Sequence, residues 1–132
     1  MRLILDTNVL ASGFAARGLC SSLIEICFRN HEVYFSPRLL EELRKALHGS
    51  MGVPLEIVEE ALSRIRSRGT AVEPVAVPAA ACRDKNDLHV LGLSAAAKAK
   101  LLVTGDKDLL ALKRFRGARI VSPRQSWPTL SK

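Results

Sequence analysis

The 132-residue chain is 48% apolar and 25% charged, with a formal charge of +7. That is the composition of one ordinary globular domain, long enough to bury a core. No apolar run approaches the ~18 residues of a membrane helix, and Met1-Arg2-Leu3-Ile4-Leu5-Asp6 meets a charge too early for a signal-peptide core.

Met1 to Asp106 carry 13 basic and 12 acidic residues, whereas Lys107 to Lys132 carry 7 basic residues against Asp108 alone. A basic tail on a nearly neutral body points to an anionic partner, of which nucleic acid is the commonest. With six aromatics in all, a base-stacking platform is not expected. Cys20, Cys27 and Cys82 contain no CxxC pair and form no zinc spacing with His31, His48 and His89. Free thiols in a core, in a reducing cytoplasm, are the expectation.

In chain order, Arg2 to Leu5 reads as a buried strand that ends at Asp6. Helices follow from about Asn8 and around Leu19, Leu23, Ile26 and Cys27. Glu32 to Phe35 is a second strand. Ser36-Pro37 then starts a helix, with serine as N-cap and proline at the first helical position. Leu40, Leu43 and Leu47 continue it to Gly49 and Gly52. Pro54 opens another helix, with Leu55, Val58, Leu62 and Ile65 on one stripe and Gly69 at its end. Thr70 to Val77 is strand-like, but Pro74 assigns it to a sheet edge. Asp87 opens a helix to about Lys98 that is apolar nearly all round, hence buried. Leu101 to Val103 and Ala118 to Val121 are the last strands. Alternating strands and helices predict an α/β fold with a parallel sheet covered on both faces.

Ligands of such sheets bind beyond the carboxyl ends of the strands. Asp6 and Asp106 each follow a strand there. Asp87 begins the buried helix that feeds the second of those strands, so it belongs to the same rim, and Asp84 lies one short turn earlier. Helix geometry selects a fourth residue. Leu39, Leu40, Leu43, Ala46 and Leu47 span an arc of about 120°, Glu42 projects about 40° beyond one edge of it, and Glu41 points to the opposite pole. Glu42 therefore reaches the protein body. Carboxylates crowded together must take up protons or hold a cation. An all-oxygen set suits Mg²⁺ or Mn²⁺, which can neutralise a phosphodiester and activate a water. Arg38, Lys107, Arg114 and Arg116 are candidates for contact with the phosphates of a nucleic acid. Asp108 reads as a helix-start acid, His89 as a surface or packing histidine, and Trp127 as a terminal anchor.

Four segments together resemble the PIN domain, in its VapC-type toxin branch. They are Leu5-Asp6-Thr7-Asn8-Val9-Leu10, Ser36 to Leu43, Cys82-Arg83-Asp84-Lys85-Asn86-Asp87, and Leu102-Val103-Thr104-Gly105-Asp106-Lys107-Asp108-Leu109-Leu110. The resemblance spans essentially the whole chain and implies one domain over residues 1–132. It implies a three-layer α/β/α sandwich around a parallel sheet of four to five strands. Carried over by position, Asp6, Glu42, Asp87 and Asp106 correspond to the acidic metal site, with Asp84 as a fifth contributor. Asn8 and Thr104 match the polar residues that orient it. The family's chemistry is metal-dependent RNA cleavage. Its implied partners are a second copy of the chain and a cognate antitoxin. Lys85 and Leu88 depart from the common pattern without removing a carboxylate.

Two other classes compete. A haloacid-dehalogenase-like phosphatase shares the Leu3-Ile4-Leu5-Asp6 entry but requires an aspartate where this chain has Asn8. A non-catalytic RNA-binding module would use the basic tail alone, but bare carboxylates beside it would repel RNA.

Overall fold

The computed structural model describes residues 1–132. A six-stranded sheet in the order β3-β2-β1-β4-β6-β5 lies between layers of helices. Its strands are β1 (Arg2–Leu5), β2 (Glu32–Phe35), β3 (Thr70–Ala71), β4 (Leu101–Val103), β5 (Arg114–Phe115) and β6 (Ala118–Val121). The helices are α1 (Thr7–Ala15), α2 (Leu19–Asn30), α3 (Pro37–Arg44), α4 (Leu55–Arg68), α5 (Leu88–Ala97), α6 (Lys107–Leu110) and α7 (Pro123–Leu130). None is long and apolar enough to cross a membrane by itself.

Leu3, Ile4 and Leu5 are consecutive and almost wholly buried, as a central strand covered on both faces requires. β1 pairs in parallel with β2 on one side and with β4 on the other, Leu5 lying opposite Val103. The chain moves from β1 through β2 to β3 in one direction and returns to β4 through α5. Right-handed crossovers of opposite direction put α1 to α4 and α5 on opposite faces of the sheet. α5 is buried nearly all round, from His89 to Ser94 and again at Ala97. The core joins both helical layers to the sheet through one apolar cluster.

Three expectations change. The sheet is mixed and has six strands, because β5 and β6 form an antiparallel hairpin at one edge. Its turn residues Arg116 and Gly117 both have positive φ, 44° and 89°, the backbone of a tight hairpin turn. Only Thr70 and Ala71 of the stretch to Val77 pair as a strand, at the opposite edge. Beyond them Val75 N donates to Gly92 O at 3.2 Å, so the segment containing Pro74 leaves the sheet and lies against α5. Finally, α3 continues into a π-helical turn, Lys45–Ser50, which keeps Leu47 buried.

Candidate metal centre

Asp6 follows β1 and is the N-cap of α1, its Oδ1 accepting from Thr7 N at 2.7 Å. It is only 5% exposed. Its Oδ2 accepts from Thr104 Oγ1 at 2.7 Å and from Asn8 Nδ2 at 3.2 Å. Asn8 Oδ1 in turn accepts from Gly105 N at 2.8 Å, and Thr104 Oγ1 from Asp106 N at 3.0 Å. These bonds tie the ends of β1 and β4 into one polar girdle and leave the Asp6 carboxylate a single orientation. Burial raises its pKa above the usual carboxylate range, against the hydrogen bonds from Thr104 and Thr7, with Asp106 and Glu42 adding to the rise.

Glu42 comes from α3, which Ser36 caps by accepting from Leu39 N at 3.2 Å. Its side chain turns inward: Thr7 Oγ1 donates to Oε1 at 3.3 Å. Arg38 Nε lies 3.7 Å from Oε2, so Arg38 faces a carboxylate of its own helix. Glu41, one residue earlier, is exposed and pairs with Arg44.

Asp84 precedes and Asp87 ends a 3₁₀ turn, Lys85–Asp87, that leads into α5, and Asp84 caps it by accepting from Asn86 N at 2.9 Å. Asp106 caps α6, accepting from Asp108 N at 2.8 Å and from Leu109 N at 3.3 Å. The tightest acidic group is Asp84, Asp87 and Asp108, whose carboxylate oxygens lie within 4.8 Å of one another. Asp87 Oδ2 is buried and has no donor. Its burial, followed by the charges of Asp106 and Asp84, pushes its pKa up to about 7. Asp6, Glu42, Asp87 and Asp106 thus act on one another's charge, and Asp87 joins them to Asp84 and Asp108.

Two residues of this neighbourhood are absent from the sequence-based set. Asp108 reads as a helix-start acid and does stand in the first turn of α6, yet it also completes the triad with Asp84 and Asp87. The Asp106-x-Asp108 spacing at a strand end is the signal for it. His89 is 9% exposed, with Nε2 2.9 Å from Glu42 Oε2 but without the alignment of a regular hydrogen bond. Burial lowers its pKa, opposed by Glu42. No local pattern reveals that contact, because it joins α3 to α5. Of the basic candidates, Lys107 and Arg114 are exposed, and the Arg116 guanidinium lies 5.0 Å from the ring centroid of its neighbour Phe115.

An unpaired buried carboxylate oxygen beside two other acids is stable only with a proton or a cation. A hard divalent ion suits a donor set made solely of oxygens. The residues present therefore fit a metal site.

The PIN domain family model matches residues 2–108. No curated protein matches the chain significantly. Among solved structures, the chain is similar to VapBC2 from Rickettsia felis, crystallised with a DNA fragment from its promoter. The TM-score is 0.64 at 18% identity, covering 92% of this chain and 98% of that one. It is also similar to PAE2754 from Pyrobaculum aerophilum, with a TM-score of 0.66 at 15% identity, covering 99% of this chain and 90% of that one. At these identities the likeness is one of fold.

Proposed function

The chain belongs to the PIN-domain family, and from that premise we propose that it is an Mg²⁺- or Mn²⁺-dependent endoribonuclease, the toxin of a toxin–antitoxin pair. Residues 1–132 act as one catalytic domain. The observation that carries this reading is Asp87, which has a buried oxygen without a donor, groups with Asp84 and Asp108 within 4.8 Å, and has its proton affinity raised by burial and then by the charges of Asp106 and Asp84.

In this reading Asp6, Glu42, Asp87 and Asp106 would hold the ion, with Asp84 and Asp108 as further acidic ligands. When bound, the ion neutralises the phosphodiester and acidifies a water. The chain's own residues supply orientation. Thr104, Asn8 and Thr7 fix both oxygens of Asp6, while Thr7, Arg38 and His89 gather around Glu42. Asn8 stands where a phosphatase of the competing class needs an acid, and both ends of its amide are already hydrogen-bonded.

The fold shared with the Rickettsia felis VapBC2 structure supports a cognate antitoxin as partner. Met51, Leu55 and Ile57, each close to half exposed, offer apolar surface for it or for a second copy of the chain. The free cysteines, two of them buried, support a reducing, cytoplasmic location.

Asp6→Asn is expected to lower metal-dependent RNA cleavage by at least about a hundredfold, the scale of removing one preorganised electrostatic stabiliser, while the circular dichroism spectrum stays that of the folded chain. RNA binding without cleavage at any metal concentration would establish the non-catalytic module instead. Phosphate release from a small monoester would establish the phosphatase.

A further inference from the structure

The basic tail is not spread evenly over the surface. Lys113, Arg114 and Arg119 line one groove of about 550 Å³ with Leu110, Val121 and Gln125, bounded by α6, the β5–β6 hairpin and α7. No carboxylate lines it. Arg114 and Arg119 are directly opposed partners in the antiparallel pair, so both side chains leave the same face of the hairpin. Like charges placed opposite one another destabilise a sheet.

Lys113, which precedes them, is held in the left-handed region at φ 64°, and its carbonyl accepts from Ile120 N at 2.8 Å. None of the three cations forms an ion pair; the basic side chains that do are Arg38, Arg44 and His89, all with glutamates. Three uncompensated cations gathered on one hairpin are repulsive until an anion lies among them.

One end of the groove, at Val121 and Gln125, lies beside the carboxylates, while Arg119, opposite Leu101 at the start of β4, and its partner Arg114 mark the other end. Asp106 caps α6, and Leu110, which ends that helix, lies four residues or ~6 Å further along it. Val121 O accepts from Thr104 N at 3.0 Å, and Thr104 is the residue that holds Asp6. Between Val121 and Gln125, Pro123 lines a smaller cleft together with Asp106 and Asn8. The first turn of α7 thus borders both the acidic centre and the basic groove.

We propose that this groove holds the sugar–phosphate backbone of the RNA strand on one side of the scissile phosphate. The assignment rests on the ribonuclease reading and adds to it the path of the substrate. Because the lining holds cations and no aromatic ring, it grips backbone rather than bases.

The test uses the full chain, an unstructured 20-nucleotide RNA, and cleavage rates over a range of KCl. Relative to wild type, R114Q/R119Q is expected to raise KM about tenfold with kcat little changed. The slope of log kcat/KM against log salt should become shallower by about 1.4, or 0.7 for each phosphate that is no longer neutralised. R114K/R119K, which keeps the charges, should retain most of the wild-type KM. R66Q/R68Q, which removes the same net charge from α4, should leave the salt slope near wild type. The melting temperature of R114Q/R119Q should hold or rise, since an opposed like-charge pair is removed.

Wild-type cleavage with unchanged KM and slope in R114Q/R119Q overturns the groove and leaves the ribonuclease reading standing. The same result with loss of polyglutamate binding would assign the groove to an acidic protein and equally overturns it. If the wild type cleaves no RNA, the ribonuclease reading fails. RNA binding in EDTA then decides the groove separately: loss of affinity in R114Q/R119Q supports it, and equal affinity overturns it.

Discussion

Asp87 combines a buried oxygen that lacks a donor with a pKa pushed up to about 7 by burial and by the charges of Asp106 and Asp84. An unfolded aspartate titrates near ~3.9, so the metal-free folded chain binds the proton more tightly than the unfolded chain does. The stability linked to this group is complete below the unfolded value and is lost as pH rises through about 7. Asp87→Asn removes the charge and keeps the shape. It is expected to raise the metal-free melting temperature more at pH 8 than at pH 5, and to abolish metal-dependent cleavage. A lower melting temperature at pH 8 would refute this account of Asp87. Among single residues, Asp6, Asp84, Asp87 and Asp106 stand out in the sequence because each adjoins the end of a strand or the start of a helix. Glu42 is distinguishable from Glu41 by helix angle alone, and the two are indeed half-buried and exposed respectively. His89 escapes such reasoning, since what distinguishes it is a glutamate 47 positions away in sequence, on another helix.

Among the elements, the periodic helices and the three- and four-residue strands are legible, and the two-residue edge strands are not. β5 has two residues, too few for any alternation, and its Arg116-Gly117 turn lacks the Asn-Gly or Asp-Gly signature that marks a tight hairpin. The stretch after Ala71 has strand-like residues, but Pro74 has no N–H for a ladder, and the backbone instead bonds α5 through Val75 and Gly92. Gly92 is required by that contact. A Cβ there would collide with Val75 O and lie 3.3 Å from Pro74 Cβ. Gly92→Ala is therefore expected to destabilise the fold by about 1–3 kcal/mol, the cost of overpacking. Urea unfolding measures it as a lower midpoint with an unchanged slope. Stability equal to wild type would show that the 72–78 segment yields freely.

For the whole molecule, the strand order sets β1 beside β4 and so brings Asp6 next to Thr104 and Asp106, about a hundred residues later in the chain. A protein of formal charge +7 in this way encloses a centre dominated by negative charge. Magnesium that binds the folded chain alone should stabilise it, by about 2.7 kcal/mol at a hundred times its dissociation constant. Protons compete for Asp87 and Asp6, so the rise in melting temperature on adding Mg²⁺ should be larger at pH 8 than at pH 5 and should reverse with EDTA. No rise at either pH would remove the support for a metal centre.

The amino-acid order by itself determined the α/β class, the central strands, the helix starts and most of the acids, because apolar periodicity, capping residues and strand-end carboxylates are local properties. Only the tertiary structure decided the antiparallel edge, the third member of the tightest acidic triad, the contact of His89 with Glu42, and the gathering of Lys113, Arg114 and Arg119 on one groove. Each of these depends on which distant segments come to lie side by side, and no spacing along the chain encodes a distance in space.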